Sequence, residues 1–263
     1  MAAGNDLFKL YRYDPSMAAA IIFSILFFVI TAFHTYQVVR TKTWFFIPFV
    51  LGGFYWTVQP YIVQTLLLLV APALYAASIY MILGRIILLT EGEVHSIIRR
   101  KWLTKLFVFG DVVSFIMQGA GGGIMASGTL EALEKGEHIV IGGLVVQIIF
   151  FSLFAITAAI FHRRLSRFPT RKVLQAVIPW ETYLNVLYAA SALILVRSVF
   201  RLIEYAQGND GYLISHEVFL YVFDAVLMFA TMCVFAWKHP SSINTFLKED
   251  RGSSDSTLNY NMA

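Results

Sequence analysis

The stretch "LVRSVFRLIEY", residues 195–205, places two arginines and a glutamate inside a run of bulky apolar side chains. Arg197, Arg201 and Glu204 are four and three residues apart, so a helix carries all three on one side. In water such a stripe would be the solvent face of an amphipathic helix. In a membrane each charge is costly and must find a partner or a wet cavity. Which solvent surrounds the segment therefore decides the fold.

The rest of the chain answers for the membrane. Of 263 residues, 58% are hydrophobic and only 14% are charged, where a soluble domain carries about a quarter charged residues. The mean hydropathy is +0.69. The apolar residues gather near 17–39, 44–58, 60–89, 104–126, 139–161, 182–204 and 216–237. Most of these blocks reach the roughly 20 residues that a helix needs to cross about 30 Å of hydrocarbon. The sequence predicts an all-α, polytopic membrane protein with seven transmembrane helices.

Cationic residues give the expected orientation, because cytoplasmic loops hold the excess of Lys and Arg. Fourteen of the twenty lie at alternate joints: Arg40 and Lys42, then Arg99 to Lys105, then Arg163 to Lys172, then Lys238 to Arg251. The opposite joints hold Lys9, Arg12 and Lys135. Arg85, Arg197 and Arg201 lie inside blocks. That split predicts an N-terminus outside and a C-terminus in the cytosol. It divides the chain into an exterior segment over 1–16, a membrane domain over 17–240 and a Ser-rich, disordered cytosolic tail over 241–263. The second block is unusually short: from Trp44 to Val58 a helix covers only about 22 Å.

Several functions are disfavoured. The chain has no G-x-x-x-x-G-K-[ST] phosphate loop, and its one cysteine, Cys233, cannot form an intrachain disulfide. "QGAGGG", residues 118–123, lacks dinucleotide-loop spacing. The histidines His34, His162, His216 and His239 show no metal-ligand spacing. No cofactor, no metal, no nucleic-acid partner and no enzymatic activity are expected.

Depth along each helix sorts the buried polar groups into two layers. His34, Arg85 and Asp111 fall towards the cytosolic side, where Arg85 and Asp111 are expected to pair. Arg197, Arg201, Glu204, Glu217 and Asp224 fall towards the exterior, with three carboxylates against two arginines. The leftover carboxylate, Asp224 first and Glu217 second, is the expected partner of a ligand's cation. Gln118, Gly121 and Gly122, at the glycine-rich end of the fourth block, complete the candidate site. Gly119 and Gly123 form a G-x-x-x-G pair expected to let helices approach closely, and Gln118 and Gln147 are placed to hydrogen-bond across helices. Pro72 is expected to kink the third helix.

These residues carry a resemblance. "LYRYDPS" (10–16), "LLLLVAPALYAASIYMILGRII" (66–87), "FVFGDVVSFIMQGAGGG" (107–123), "LVRSVFRLIEYAQGNDG" (195–211), and "YVFDAVLMF" (221–229) followed by "HPS" (239–241) resemble the fungal RTA-like, or lipid-translocating exporter, family from about Tyr11 to Pro240. The resemblance implies seven helices in a fungal membrane, mostly the plasma membrane. It also implies movement of sphingoid long-chain bases and resistance to toxic amphiphiles, with some members linked to porphyrin or haem. One segment departs from it. "FFIPFVLGGFYWTVQPYIVQ" (45–64) lacks the glutamate, the Gly-Tyr pair and the arginine of the family's longer second helix. A translocator of amphiphilic lipids is the reading that follows, with membrane lipids as partners. A seven-helix stress sensor regulating lipid asymmetry and a porphyrin-handling protein are the alternatives.

Overall fold

The structure, a computed structural model, describes residues 17–55, 61–125, 127, 129–175, 179–208, 212–213, 217–241, 243 and 245–247. The expected segment over 1–16 and the tail from residue 248 lie outside them. Every regular element among the described residues is helical. The long rods are α1 (Met17–Thr41), α3 (Tyr61–Leu89), α4 (Arg100–Met125), α5 (Leu130–Arg167) and α7 (Trp180–Ala206). Two short helices, α2 (Ile47–Tyr55) and α6 (Arg171–Gln175), lie between them. The last rod joins α8 (Glu217–Leu220), a π-helical stretch (Tyr221–Val226) and α9 (Leu227–Trp237).

Among the described residues six helices are long and apolar enough to cross a bilayer, and a shorter apolar helix runs over Trp44–Gly53. The chain is a multi-pass integral membrane protein. The nine residues of α2 cover only about 14 Å at 1.5 Å per residue, less than half the hydrocarbon core. Length alone predicts this shortfall, and the helix is shorter still than its apolar block.

The helices close into a ring in which α1 packs on α2, α2 on α3, α3 on α4, α4 on α5, α5 on α7, and α7 and α1 on α9. Helix α3 also touches α5 and α7 and is the innermost rod, 67% buried where α1 is 17% buried. It runs through Pro72 as one continuous helix. Outward-facing Ile21, Ile25, Phe28, Phe109, Ile116 and Ile149 stay exposed, as expected where the surrounding lipid is as apolar as the core.

Aromatic side chains fill the interior in two clusters. Phe46 and Phe49 of the short-helix region lie against His34, Tyr75 stacks on Phe49 and Phe235 meets it edge-on, so the short α2 is still a packed part of the core. Tyr80, Phe107, Phe151 and Phe154 form the second cluster between α3, α4 and α5. The packed region also continues past the boundary expected at residue 240. Ile243 is fully buried, and Phe246 and Leu247 pack against the core.

Helices α4 and α5 make the most extensive contact in the molecule. The expected G-x-x-x-G pair does not mediate it, because Gly119 and Gly123 face open space. Gly121 takes that role. A Cβ there would stand 2.6 Å from the Gly136 carbonyl oxygen, and a Cβ on Gly136 would stand 2.6 Å from that of Gly121. Two backbones this close admit only hydrogen at both positions.

Candidate functional site

Four of the predicted charged residues meet. α7 is a 27-residue helix, so Arg197 and Arg201 project one turn apart from a rod fixed on both flanks by α5 and α9. The π-helical stretch carries Asp224. Such a turn fits one extra residue into a helix and re-aims its side chains, and nothing in the apolar pattern of residues 216–237 announces it. Arg197 Nε donates to Asp224 Oδ1. Arg201 Nη1 donates to Glu204 Oε2 at 2.7 Å, and its Nε lies 3.9 Å from Asp224 Oδ2. Asp224 is fully buried, while Arg201 and Glu204 sit nearer the rim, their side chains 10% and 12% exposed.

The arrangement amends the charge count. Within the described side chains two arginines meet two carboxylates, so Asp224 is not the leftover acid. It is held by Arg197 with Arg201 behind it. Glu217 begins α8, and its side chain lies outside the described residues. Glu204, whose only charged partner among the described residues is Arg201, is the carboxylate nearest the rim.

On the adjacent face of the same helix lies an apolar groove. Val196, Val199, Phe200 and Ile203 of α7 form one wall, and Leu213, Phe219 and Phe223 form the other, around about 390 Å³. Phe200 and Phe223 stack at 4.6 Å, and Phe219 lies against Phe223. The volume falls in the range of about 300–1,000 Å³ that accommodates small ligands. The groove was not foreseen, because its residues are ordinary apolar ones and only the fold brings them together.

The remaining candidates lie elsewhere. Gln118 belongs to the α4–α5 interface: its amide donates to Ser114 Oγ at 2.6 Å and to Gln147 Oε1 at 3.1 Å. Ser114 in turn donates to the Gly143 carbonyl at 2.7 Å. Gly121 is closed off by Gly136 and Val140, and Gly122 faces open space. None of the three joins the charged cluster.

In the other predicted layer, Arg85 and Asp111 do not pair with each other. The Arg85 guanidinium lies over the Phe45 ring, 3.8 Å from its centroid. Asp111 is buried beside the Tyr80 hydroxyl, and neither of its oxygens accepts a hydrogen bond of ordinary geometry among the described residues. Depth gave the level of each group but not the direction in which it points. His34 donates from Nε2 to the Met232 carbonyl at 3.0 Å, tying α1 to α9. Among the described residues no three His, Cys, Asp or Glu side chains gather as a metal site would require.

The family described as RTA1 like protein matches residues 51–246, about three quarters of the chain. This chain belongs to the RTA1-like family. It is 38% identical to Protein RTA1 of Saccharomyces cerevisiae, over 92% of this chain and 88% of the relative. It is 35% identical to Protoporphyrin uptake protein 1 of the same yeast, over 90% of this chain and 93% of the relative. More distant relatives are named Probable lipid transporter atnI, from Emericella nidulans, at 28% identity over 89% of this chain and 68% of the relative, and Sphingoid long-chain base transporter RSB1, from Saccharomyces cerevisiae, at 22% over 86% and 72%. Two of these relatives are thus named as transporters of a lipid or a sphingoid base, and one is named for porphyrin uptake. No solved structure matches the chain. The alignment with Protein RTA1 is 283 positions long but holds only about 242 residues of this chain. About forty positions of that relative therefore face gaps here.

Proposed function

We propose that this RTA1-like chain translocates amphiphilic lipids with a cationic head, such as sphingoid long-chain bases, across a fungal plasma membrane. On this reading the short α2 makes the second of seven crossings, in a locally thinned bilayer, so that the N-terminus lies outside and the C-terminus in the cytosol. The observation that carries the reading is the juxtaposition on α7. Arg201 and Glu204 form a paired-charge rim on one face, and the Val196–Phe223 groove lies on the neighbouring face. An ammonium head can exchange with the Arg201 guanidinium at Glu204, because both are monovalent cations attracted to the same carboxylate. The single tail then lies in the groove, in contact with apolar side chains throughout. Asp224 and Arg197 keep the rim in place from beneath.

The test is movement of a fluorescent sphingoid base between leaflets of liposomes containing the purified protein. Wild type accelerates the transfer. Glu204→Gln slows it, at unchanged protein incorporation, because the exchange site loses its charge. Transfer at the protein-free rate by the wild type would remove the proposal.

A second reading has its own support, the 35% identity to a relative named for protoporphyrin uptake. A tetrapyrrole is an anion and would need arginines not already held by carboxylates. Arg197 and Arg201 are both held. Titration of the purified protein with protoporphyrin, followed by Soret absorbance and fluorescence, separates the two.

A further inference from the structure

Asp111 is the twelfth of the 26 residues of α4, about 16 Å from Arg100 along the axis. That is inside the membrane span, towards its cytosolic side, and the residue is only 4% exposed. Among the described residues the groups facing it are few. From α3 comes the Tyr80 hydroxyl, which is itself fully buried and has no hydrogen bond of ordinary geometry among the described residues. Arg85, the cation of α3, lies over the Phe45 ring instead. From α5, Phe150 faces Gly110, the residue before Asp111, and Phe151 and Phe154 pack on the Tyr80 ring; none of the three carries a charge. A carboxyl in such a place without a counter-ion requires some cation to accompany it, since an isolated buried carboxylate is among the costliest groups a protein can hold. A hard metal ion would need about six oxygen ligands, and one carboxyl and one phenol do not supply them. The proton is the cation that fits.

We propose that Asp111 is a proton-carrying site of the membrane domain, with Tyr80 as its positioning partner, and that lipid translocation is linked to its loading and unloading. Loading forms one O–H bond on the carboxyl, and unloading returns the proton to water. The buried polar row Ser114, Gln118 and Gln147, one and two turns along from Asp111, supplies hydroxyl and amide groups leading away from the site towards the Met125 end of α4. The rim at Arg201 and Glu204 belongs to α7, so proton and lipid occupy separate sites. The link to transport rests on the lipid reading above, whereas the proton site does not.

Two measurements keep these apart. Infrared spectroscopy of the purified protein at neutral pH reads the carbonyl stretch of a protonated carboxylic acid. The expected result is a band in the region of acids in apolar surroundings, lost in Asp111→Asn, kept in Glu204→Gln and shifted by Tyr80→Phe. If Asp111→Asn does not fold, the shift in Tyr80→Phe carries the test. No acid band at neutral pH, or one unmoved by both variants, overturns the proton site. For the link, liposomes with a pH difference of one unit receive an N-trimethylated sphingoid base, whose head cannot carry a proton of its own. Wild type accumulates it about tenfold across the membrane at one-to-one exchange, and Asp111→Asn shows no accumulation. Accumulation unchanged by Asp111→Asn overturns the link. Failure of the wild type to move the lipid at all overturns the lipid reading and the link together, while the infrared band alone decides the site.

Discussion

Arg197 on α7 and Asp224 in the π-helical stretch, 27 residues apart, bond directly in a place that solvent hardly reaches, their side chains 4% and 1% exposed. A buried pair of this kind contributes little compared with apolar residues of the same size, but losing one partner strands the other. Asp224→Asn is expected to cost about 3–5 kcal/mol of stability, read as a lower melting temperature of the detergent-purified protein. The double variant Arg197→Met/Asp224→Leu recovers part of that loss, since neither member of the pair is left facing a missing partner. A single variant that melts with the wild type would show that the two groups are not joined in the membrane.

The glycines of α4 divide by face, and stability separates them. Gly121→Ala drives a methyl into the Gly136 backbone, which cannot yield as a flexible side chain would, and is expected to lose roughly 1–3 kcal/mol through overpacking. Gly119→Ala and Gly123→Ala meet open space and gain up to about 1 kcal/mol from better helix propensity. Melting temperatures of the three variants give the comparison. Equal losses at all three would mean that Gly119 and Gly123 also face a neighbour.

How much of this could be read from the sequence follows from what a one-dimensional pattern records. Blocks of about 20 apolar residues mark the long helices because bilayer thickness sets that length. The shortfall at α2 shows for the same reason. Counting turns from the helix ends sets depth, and it placed Arg197, Arg201, Glu204 and Asp224 at one level. It could not give azimuth. Arg85 and Asp111 fall at similar depth yet point to different neighbours, Phe45 and Tyr80, and Gly121 rather than Gly119 meets α5 although both lie in one glycine run. The π-helical stretch was also hidden, because a one-residue change of period over six apolar positions leaves no trace in hydropathy.

A titration outside the membrane spans gives a pH prediction. His239 follows the end of α9, its ring 6.3 Å from that of His34 and 5.3 Å from that of Phe46. Burial, and after it the nearness of His34, holds its pKa down to about 4, from the ordinary 6.5. Between these values the unfolded chain binds more protons than the folded one, so stability rises with pH from about 4 to 6.5 and levels above. His239→Phe keeps the aromatic packing without a titrating group. It is expected to flatten this part of the melting-temperature profile, and an identical slope in the variant would assign the titration elsewhere.

Where the membrane domain ends decides how a signalling role is tested. Ile243 is fully buried, with Phe246 and Leu247 against the same core, so a chain cut after Pro240 loses packing as well as its serines. Burial of an isoleucine is worth about 1.5–3 kcal/mol, and that truncation is expected to lower the melting temperature accordingly. A chain cut after Leu247 keeps these contacts and is expected to melt with the full-length protein. Only the second truncation separates a sensor from a translocator. A translocator cut at 247 still moves lipid in liposomes at the full-length rate, whereas a sensor that signals through its tail loses its cellular output. If the cut after Pro240 melts with the full-length protein, residues 241–247 contribute nothing to the core, and either truncation serves.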